Sequence, residues 1–243
     1  MNTPLHLAVV GLPGRMGREI RALTEIDETI DIAGGVSRAN MADLPLVVAA
    51  SDVVIDFSGP DATPAVMSAV EAARKPLVIG TTGLSPEVVT DLRALSEVIP
   101  VWYARNMSTG VSLLQRILSD VTQALAGFDI EILEAHHRHK TDAPSGTALM
   151  LAEAILAGLE QAPARFVHGR EGESSRQPGD IGIHAVRGGG NPGEHIVLFA
   201  SEQEEVRISH RAFTRQVFAA GAIRAARAIH GQPPGWYGPE CHS

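Results

Sequence analysis

His136-His137-Arg138-His139-Lys140 crowds three imidazoles, a guanidinium and an amine into five consecutive positions of the 243-residue chain. Like charges this close disfavour the charged forms of their neighbours, which makes such groups candidates for proton transfer near neutral pH. The run follows Asp129–Ala135, which reads as a strand, and precedes Pro144, which cannot extend one. Ser145 is a natural N-cap for a helix carrying Leu151, Ile155 and Leu159. The amides of Gly146 and Thr147 then point outward from its first turn, ready for a carboxylate. A cationic cluster facing a helix amino terminus makes one anion pocket, suited to a small di-acid. Two other readings stay open. His-His-x-His could ligate a metal, although no second carboxylate-rich cluster completes an obvious ligand set. A charge cluster is also commonly a solvated loop.

Gly11-Leu12-Pro13-Gly14-Arg15-Met16-Gly17 lies between the apolar run Leu5–Val10 and a segment where Met16, Ile20 and Leu23 recur at helical spacing. Glycine permits the tight turn and lets backbone amides approach a pyrophosphate, whose charge the following helix start favours. The spacing is one residue longer than the dinucleotide fingerprint, and a structural turn is the alternative. The next strand ends Val36-Ser37-Arg38, without the carboxylate that binds ribose hydroxyls in NAD-specific proteins. Ser37 can hydrogen-bond a 2′-phosphate and Arg38 can pair with it, so NADPH is favoured over NADH; a solvated Arg38 is the alternative. Gly80-Thr81-Thr82-Gly83 and Asn106-Met107-Ser108 follow later strands at their carboxyl ends, where open α/β sheets bind ligands. Ordinary strand-to-helix turns would look similar.

These turns need a frame to hold them. Asp31–Val36, Asp52–Phe57, Leu77–Ile79 and Ile99–Tyr103 read as strands, alternating with helical segments marked by Val66, Val70 and Ala73 and by Val89, Leu92 and Leu95. That alternation argues for a Rossmann-like α/β half with a doubly wound parallel sheet. After residue 107 the rhythm changes. Val111, Leu114, Leu118, Val121 and Leu125 fit a long amphipathic helix, and the polar stretch 162–180 reads as a loop. Ile181–Arg187, Glu194–Ser201 and Glu205–His210 read as consecutive strands of a second, α+β half with a mostly antiparallel sheet. Val217, Gly221, Arg224 and Ile229 fall in a final helix. The chain thus divides near residue 107 into a nucleotide-fold half and an α+β half.

The balance of 20 Lys+Arg against 28 Asp+Glu gives −8 with no long run of one sign. That argues against nucleic acid as a partner and leaves anionic small molecules open. Apolar residues at 44% suit a globular fold rather than disorder. The single cysteine, Cys241, excludes an internal disulfide and a cysteine-based zinc site, and reads as a bland tail residue. No apolar run reaches the ~18 residues of a membrane span. Met1-Asn2-Thr3-Pro4 does not open a signal peptide, so the expectation is a cytoplasmic protein.

Gly11–Gly17, Ile55-Asp56-Phe57-Ser58, Gly80–Gly83, Asn106–Val111 and above all Glu134–Ala148 resemble the 4-hydroxy-tetrahydrodipicolinate reductase (dihydrodipicolinate reductase) family. Gly179–Gly182, Gly193-Glu194-His195 and Ile208–Arg211 resemble its second domain. The resemblance implies that the final helix packs back on the nucleotide domain, so that 214–243 completes 1–107 and 108–213 is the second domain. The resemblance implies an NAD(P)H-dependent reductase of the diaminopimelate route to lysine, acting on a cyclic dicarboxylate and usually assembled as a homotetramer through the second-domain sheets. It puts the proton donor/acceptor on His136, the catalytic lysine on Lys140, and substrate contacts on His137, Gly146, Thr147 and Arg215. Cofactor contacts fall on Gly11, Gly14, Arg15, Met16, the Gly80-Thr81-Thr82 turn, and Ala104, Asn106 and Met107. Members often carry an acid where this chain has Ser37, and the link from Arg38 to Ser51 is short for the family. Two rivals remain: another two-domain dehydrogenase, which gives no reason for the crowded histidines, and a non-catalytic nucleotide sensor, against which His136 and Lys140 argue.

Overall fold

Leu5–Val10 (β1), Arg15–Thr24 (α1), Ile30–Val36 (β2), a 3-10 helix Arg38–Asp43, Leu44–Ala49 (α2), Val53–Asp56 (β3), Thr63–Ala73 (α3), Leu77–Ile79 (β4), Pro86–Leu95 (α4) and Pro100–Tyr103 (β5) succeed one another along the first part of the chain. Then come Thr109–Ala124 (α5), Asp129–His136 (β6), Gly146–Gly158 (α6), Arg165–His168 (β7), Asp180–Arg187 (β8), Glu194–Ala200 (β9) and Glu205–Arg211 (β10). Gln216–Ile229 (α7) and Gly235–Tyr237 (β11) end the order. The computed structural model describes residues 3–159 and 164–239; Cys241 lies outside them. Two compact units divide the chain, one made of residues up to Ser108 together with those from Arg215 onward, the other of Thr109–Thr214.

In the first unit six parallel strands are ordered β11-β5-β4-β3-β1-β2. Alternate strand residues face opposite sides, so each side has its own core. Leu7, Val9, Ile55 and Val78 pack with Ile20 of α1 and Ala222 and Ile229 of α7. Ala8, Val10, Val54, Leu77 and Ile79 pack with Val48, Val66 and Leu92 of the other helices. At Gly221 of α7 an added Cβ would fall 1.7 Å from the Met107 carbonyl oxygen, so only glycine lets this helix lie against the chain leaving β5. Three features were not legible in the sequence: the 3-10 helix and α2 occupy the short link after β2, and Gly235–Tyr237 adds an edge strand beside β5.

The second unit holds a five-stranded sheet ordered β10-β9-β6-β8-β7. The three late strands form as expected, but β8 and β9 flank β6 on opposite sides instead of pairing with each other. The sheet is therefore mixed: β6–β8 and β8–β7 are parallel, β9–β6 and β10–β9 antiparallel. The parallel half follows from two crossovers, α6 from β6 to β7 and residues 169–179 from β7 to β8, each returning the chain in the same direction. Part of the stretch expected as loop is β7, an edge strand too short and polar to signal itself. One sheet face packs Ile132, Ile183, Val197 and Phe199 against Leu118 of α5 and Leu151 and Ile155 of α6. Leu133 and Val186, on the other face, are exposed. Among the described residues no helix is long and apolar enough to cross a membrane.

Candidate active site

Every turn singled out for a dinucleotide follows the carboxyl end of a strand in the first sheet: Gly11–Gly17 after β1, Arg38 after β2, Gly80–Thr82 after β4 and Ala104–Met107 after β5. Strands β2 and β3 flank β1 on opposite sides, so the winding reverses there, and such reversals leave a ligand crevice. Gly11 has φ +89° and a Cβ on it would fall 2.6 Å from the Phe57 carbonyl oxygen. A Cβ on Gly17 would fall 2.3 Å from the Leu12 carbonyl oxygen. Gly14 is the N-cap of α1 and supplies no side-chain cap, which leaves the first-turn amides of Arg15, Met16 and Gly17 to an external acceptor. This backbone cradle fits a pyrophosphate.

The β3 end organises the neighbouring turns. Asp56 is fully buried and accepts from the Ser58 amide at 2.8 Å, the Ser58 hydroxyl at 2.5 Å and the Thr63 hydroxyl at 3.3 Å. Burial pushes its carboxyl up, against those hydrogen bonds. Thr81 is buried and donates to the Asp56 carbonyl, while Thr82 is exposed. A Cβ on Gly80 would overlap the Phe57 ring at 2.2 Å. Ala104 and Met107 are buried, and Asn106 accepts the Ser108 amide at 2.8 Å. At the β2 end the expectation for Ser37 is corrected. Its hydroxyl donates to Asn40 Oδ1 at 2.9 Å and accepts the Ala39 amide at 3.2 Å, so its one proton is spent inside a helix cap. Arg38, exposed at the first helical position, is left as the cation there.

In the second unit, His136 is the last residue of β6, and Glu134 lies two positions back on the same buried face. His136 Nδ1 is 2.6 Å from Glu134 Oε2. Arg187, at the end of β8, grips both Glu134 oxygens at 2.8 and 2.7 Å and donates to the Asp142 carbonyl at 2.6 Å. Burial alone would raise the Glu134 carboxyl, but hydrogen bonds from His136, Arg187 and the Ser145 amide, the last at 2.9 Å, hold it down at about 2. Ser145 caps α6 as expected, its hydroxyl accepting the Ala148 amide at 3.1 Å. Gly146 and Thr147 therefore open the helix beside Glu134 and His136. The segment between is a turn: the His137 amide donates to Asn191 at 2.8 Å and the Lys140 amide to His137 at 3.1 Å. Lys140 Nζ reaches Asp142 at 2.8 Å.

The imidazole pushed down furthest lies outside the crowded run. His195 of β9 is directly opposite Glu134 and is almost wholly buried. Burial first, then the neighbouring His136, lowers it to about 3, so it is neutral near pH 7. Its ring meets that of His136 edge-on at 5.1 Å, and its Nε2 is 3.1 Å from the Ser145 hydroxyl. Glu134, Arg187 and His195 went unassigned in the sequence because they converge only through strand pairing. The one available signal was the alternation of Glu134 and His136 along a strand. Arg215 is the N-cap of α7, in the first unit. Among the described residues no group of three or more His, Cys, Asp or Glu is placed to hold a metal ion.

A parallel sheet with a glycine cradle, joined in one chain to a unit that holds a carboxylate-bound histidine beside a capped helix start, defines a pyridine-nucleotide-dependent oxidoreductase. The model for the N-terminus of dihydrodipicolinate reductase matches residues 5–107, and that for its C-terminus matches residues 110–240. The chain belongs to the dihydrodipicolinate (4-hydroxy-tetrahydrodipicolinate) reductase family. It is 41% identical over 241 residues to the 4-hydroxy-tetrahydrodipicolinate reductase of Caldanaerobacter subterraneus subsp. tengcongensis, covering 96% of each chain. It is 43% identical over 256 residues to that of Rubrobacter xylanophilus, again covering 96% of each. Its fold is similar to that of a dipicolinate-bound dihydrodipicolinate reductase from Paenisporosarcina sp. TG-14, with a TM-score of 0.78 at 24% identity over 99% of this chain and 100% of that one.

Proposed function

We propose that the chain reduces 4-hydroxy-tetrahydrodipicolinate to tetrahydrodipicolinate with NAD(P)H, in the diaminopimelate route to lysine. One observation carries the reading: within residues 134–147 a buried carboxylate binds both the His136 ring and the amide of Ser145, the residue that caps a helix start. A proton source beside an anion cradle is what supports the reading. The net reaction takes up a hydride and a proton and releases water. The nicotinamide supplies the hydride when bound.

The residues divide the rest of the work. The first-turn amides of Arg15, Met16 and Gly17, with Gly11 and Gly14 shaping the turn, hold the pyrophosphate. Gly80, Thr81, Thr82, Ala104, Asn106 and Met107 serve the nicotinamide end. Arg38 pairs with a 2′-phosphate, and the absence of a carboxylate at Ser37 removes the repulsion that would reject it, so NADPH is preferred to NADH. His136 supplies the proton, and the Lys140 ammonium, held by Asp142, stabilises charge that develops on the substrate. His137 and the amides of Gly146 and Thr147 hold the two carboxylates, with Arg215 as a further substrate contact.

A homotetramer belongs to the same reading, as does a cytoplasmic location. The second sheet leaves one face uncovered by helices, with Leu133 and Val186 exposed on it, and a second copy of that face would bury both. The decisive assay follows NADPH oxidation with freshly generated cyclic di-acid. Activity dependent on both the nucleotide and the di-acid is expected; its absence removes the assignment. Light scattering of the purified chain at the monomer mass would remove the tetramer.

A further inference from the structure

We propose that Glu134 is a positioning residue for the reduction: it fixes the tautomer and orientation of His136 so that Nε2 is the nitrogen that trades the proton. The inference rests on the assignment of His136 as proton donor. Glu134 is buried and ionised, so both its oxygens only accept. With Nδ1 of His136 2.6 Å from Oε2, the hydrogen between them belongs to Nδ1. The neutral ring then carries nothing on Nε2, and the cationic ring carries one proton there to give.

The neighbours hold this arrangement in place. Arg187 grips the carboxylate with two nitrogens and ties itself to the Asp142 carbonyl, so Glu134 cannot swing away from the ring. The Ser145 amide occupies Oε1, which leaves Oε2 for the imidazole. His195 packs edge-on against one side of the ring. On the Nε2 side stands Gly193, where an added Cβ would come within 3.0 Å of Nε2; the missing side chain keeps that nitrogen clear. In the step itself the Nε2–H bond breaks and its electron pair stays on the ring. The proton passes to the substrate atom made basic by hydride addition, and Nδ1–H remains bonded to Glu134. A carboxylate behind a reacting imidazole acts in this way generally, by orientation and by stabilising the cation.

The first test needs no variant. In protein labelled with ¹⁵N-histidine, the His136 signals are identified by their loss in His136→Asn. A protonated Nδ1 and a bare Nε2 are expected in the neutral ring, and the opposite tautomer overturns the proposal. The second test is kinetic. Glu134→Gln and Glu134→Asp should lower kcat by about 10²-fold, the scale of a general acid, with KM for the di-acid changed less than ~3-fold. Adding Glu134→Gln to His136→Asn should cost less than ~2-fold more, because the carboxylate acts through the ring. An unchanged kcat in Glu134→Gln, or an equal loss in the His136→Asn background, overturns the role. A wild-type chain with no activity on the di-acid removes the functional reading instead, so the two failures are told apart.

Discussion

Asp56 and Glu134 are both buried carboxyl groups at the carboxyl ends of central strands, yet their surroundings drive them in opposite directions. Around Asp56 the donors are an amide and two hydroxyls, and burial wins, raising the group. Around Glu134 there are a guanidinium, an imidazole and an amide, and these overcome burial and hold the group at about 2. The first unit, built on backbone amides and glycine clearances, tolerates a carboxyl whose charged form is disfavoured, because the group only ties turns together. The second unit, built on charged side chains, holds a full negative charge beside the proposed proton donor. Preorganised charge and preorganised backbone are two different ways to prepare a site.

The sharpest way to break this contrast is Arg187→Ala. It leaves Glu134 buried without its main counter-charge, and a loss of about 3 kcal/mol in denaturant unfolding is expected. Lys140→Ala should lower turnover by ~10²-fold or more while the NADPH Kd stays within ~2-fold, as nucleotide binding belongs to the other unit. Near wild-type turnover in steady-state assays would remove Lys140 from the chemistry. Arg38→Ala should do the reverse, weakening NADPH by about tenfold and NADH little, with kcat unchanged. Equal losses in titrations of both nucleotides would contradict a 2′-phosphate contact.

Asp56→Asn should have the smallest effect, under about 1 kcal/mol at neutral pH, since a neutral amide suits a site that disfavours charge. Acid separates the two carboxyls further. Glu134 is lowered from 4.5 to about 2, so its contribution is complete above pH 4.5 and lost as pH falls through about 2. Asp56 is raised above 3.8, so its contribution is greatest in acid and fades as pH rises through its folded value. Thermal melts across this range should show the cost of Arg187→Ala shrinking in acid and that of Asp56→Asn growing. Parallel trends would erase the distinction.

How much of this was legible depended on whether a feature was local. β1 and the glycine turn announced themselves as an apolar run stopped by glycines, and Ser145 as a cap after Pro144, because one stretch of chain decides each. The crowded histidines and lysine marked the loop that follows β6. Their partners did not show, since Arg187 and His195 reach Glu134 only through pairing with strands far along the chain. Ser37 misled for a related reason: its hydroxyl looked available until Asn40, three residues on, proved to take its proton. β7 and β11 are edge strands of four and three residues, too short for alternation to declare itself.

The return of the chain to its first unit at Arg215 matters on the ribosome. Synthesis delivers the whole of the second unit before α7 and β11 emerge. Until Ala222 and Ile229 arrive, Leu7, Val9, Ile55 and Val78 lack the helix that finally covers them. The nascent enzyme thus carries a finished insert within an unfinished host, and that sheet face, covered by α1 alone, is where a chaperone would engage it.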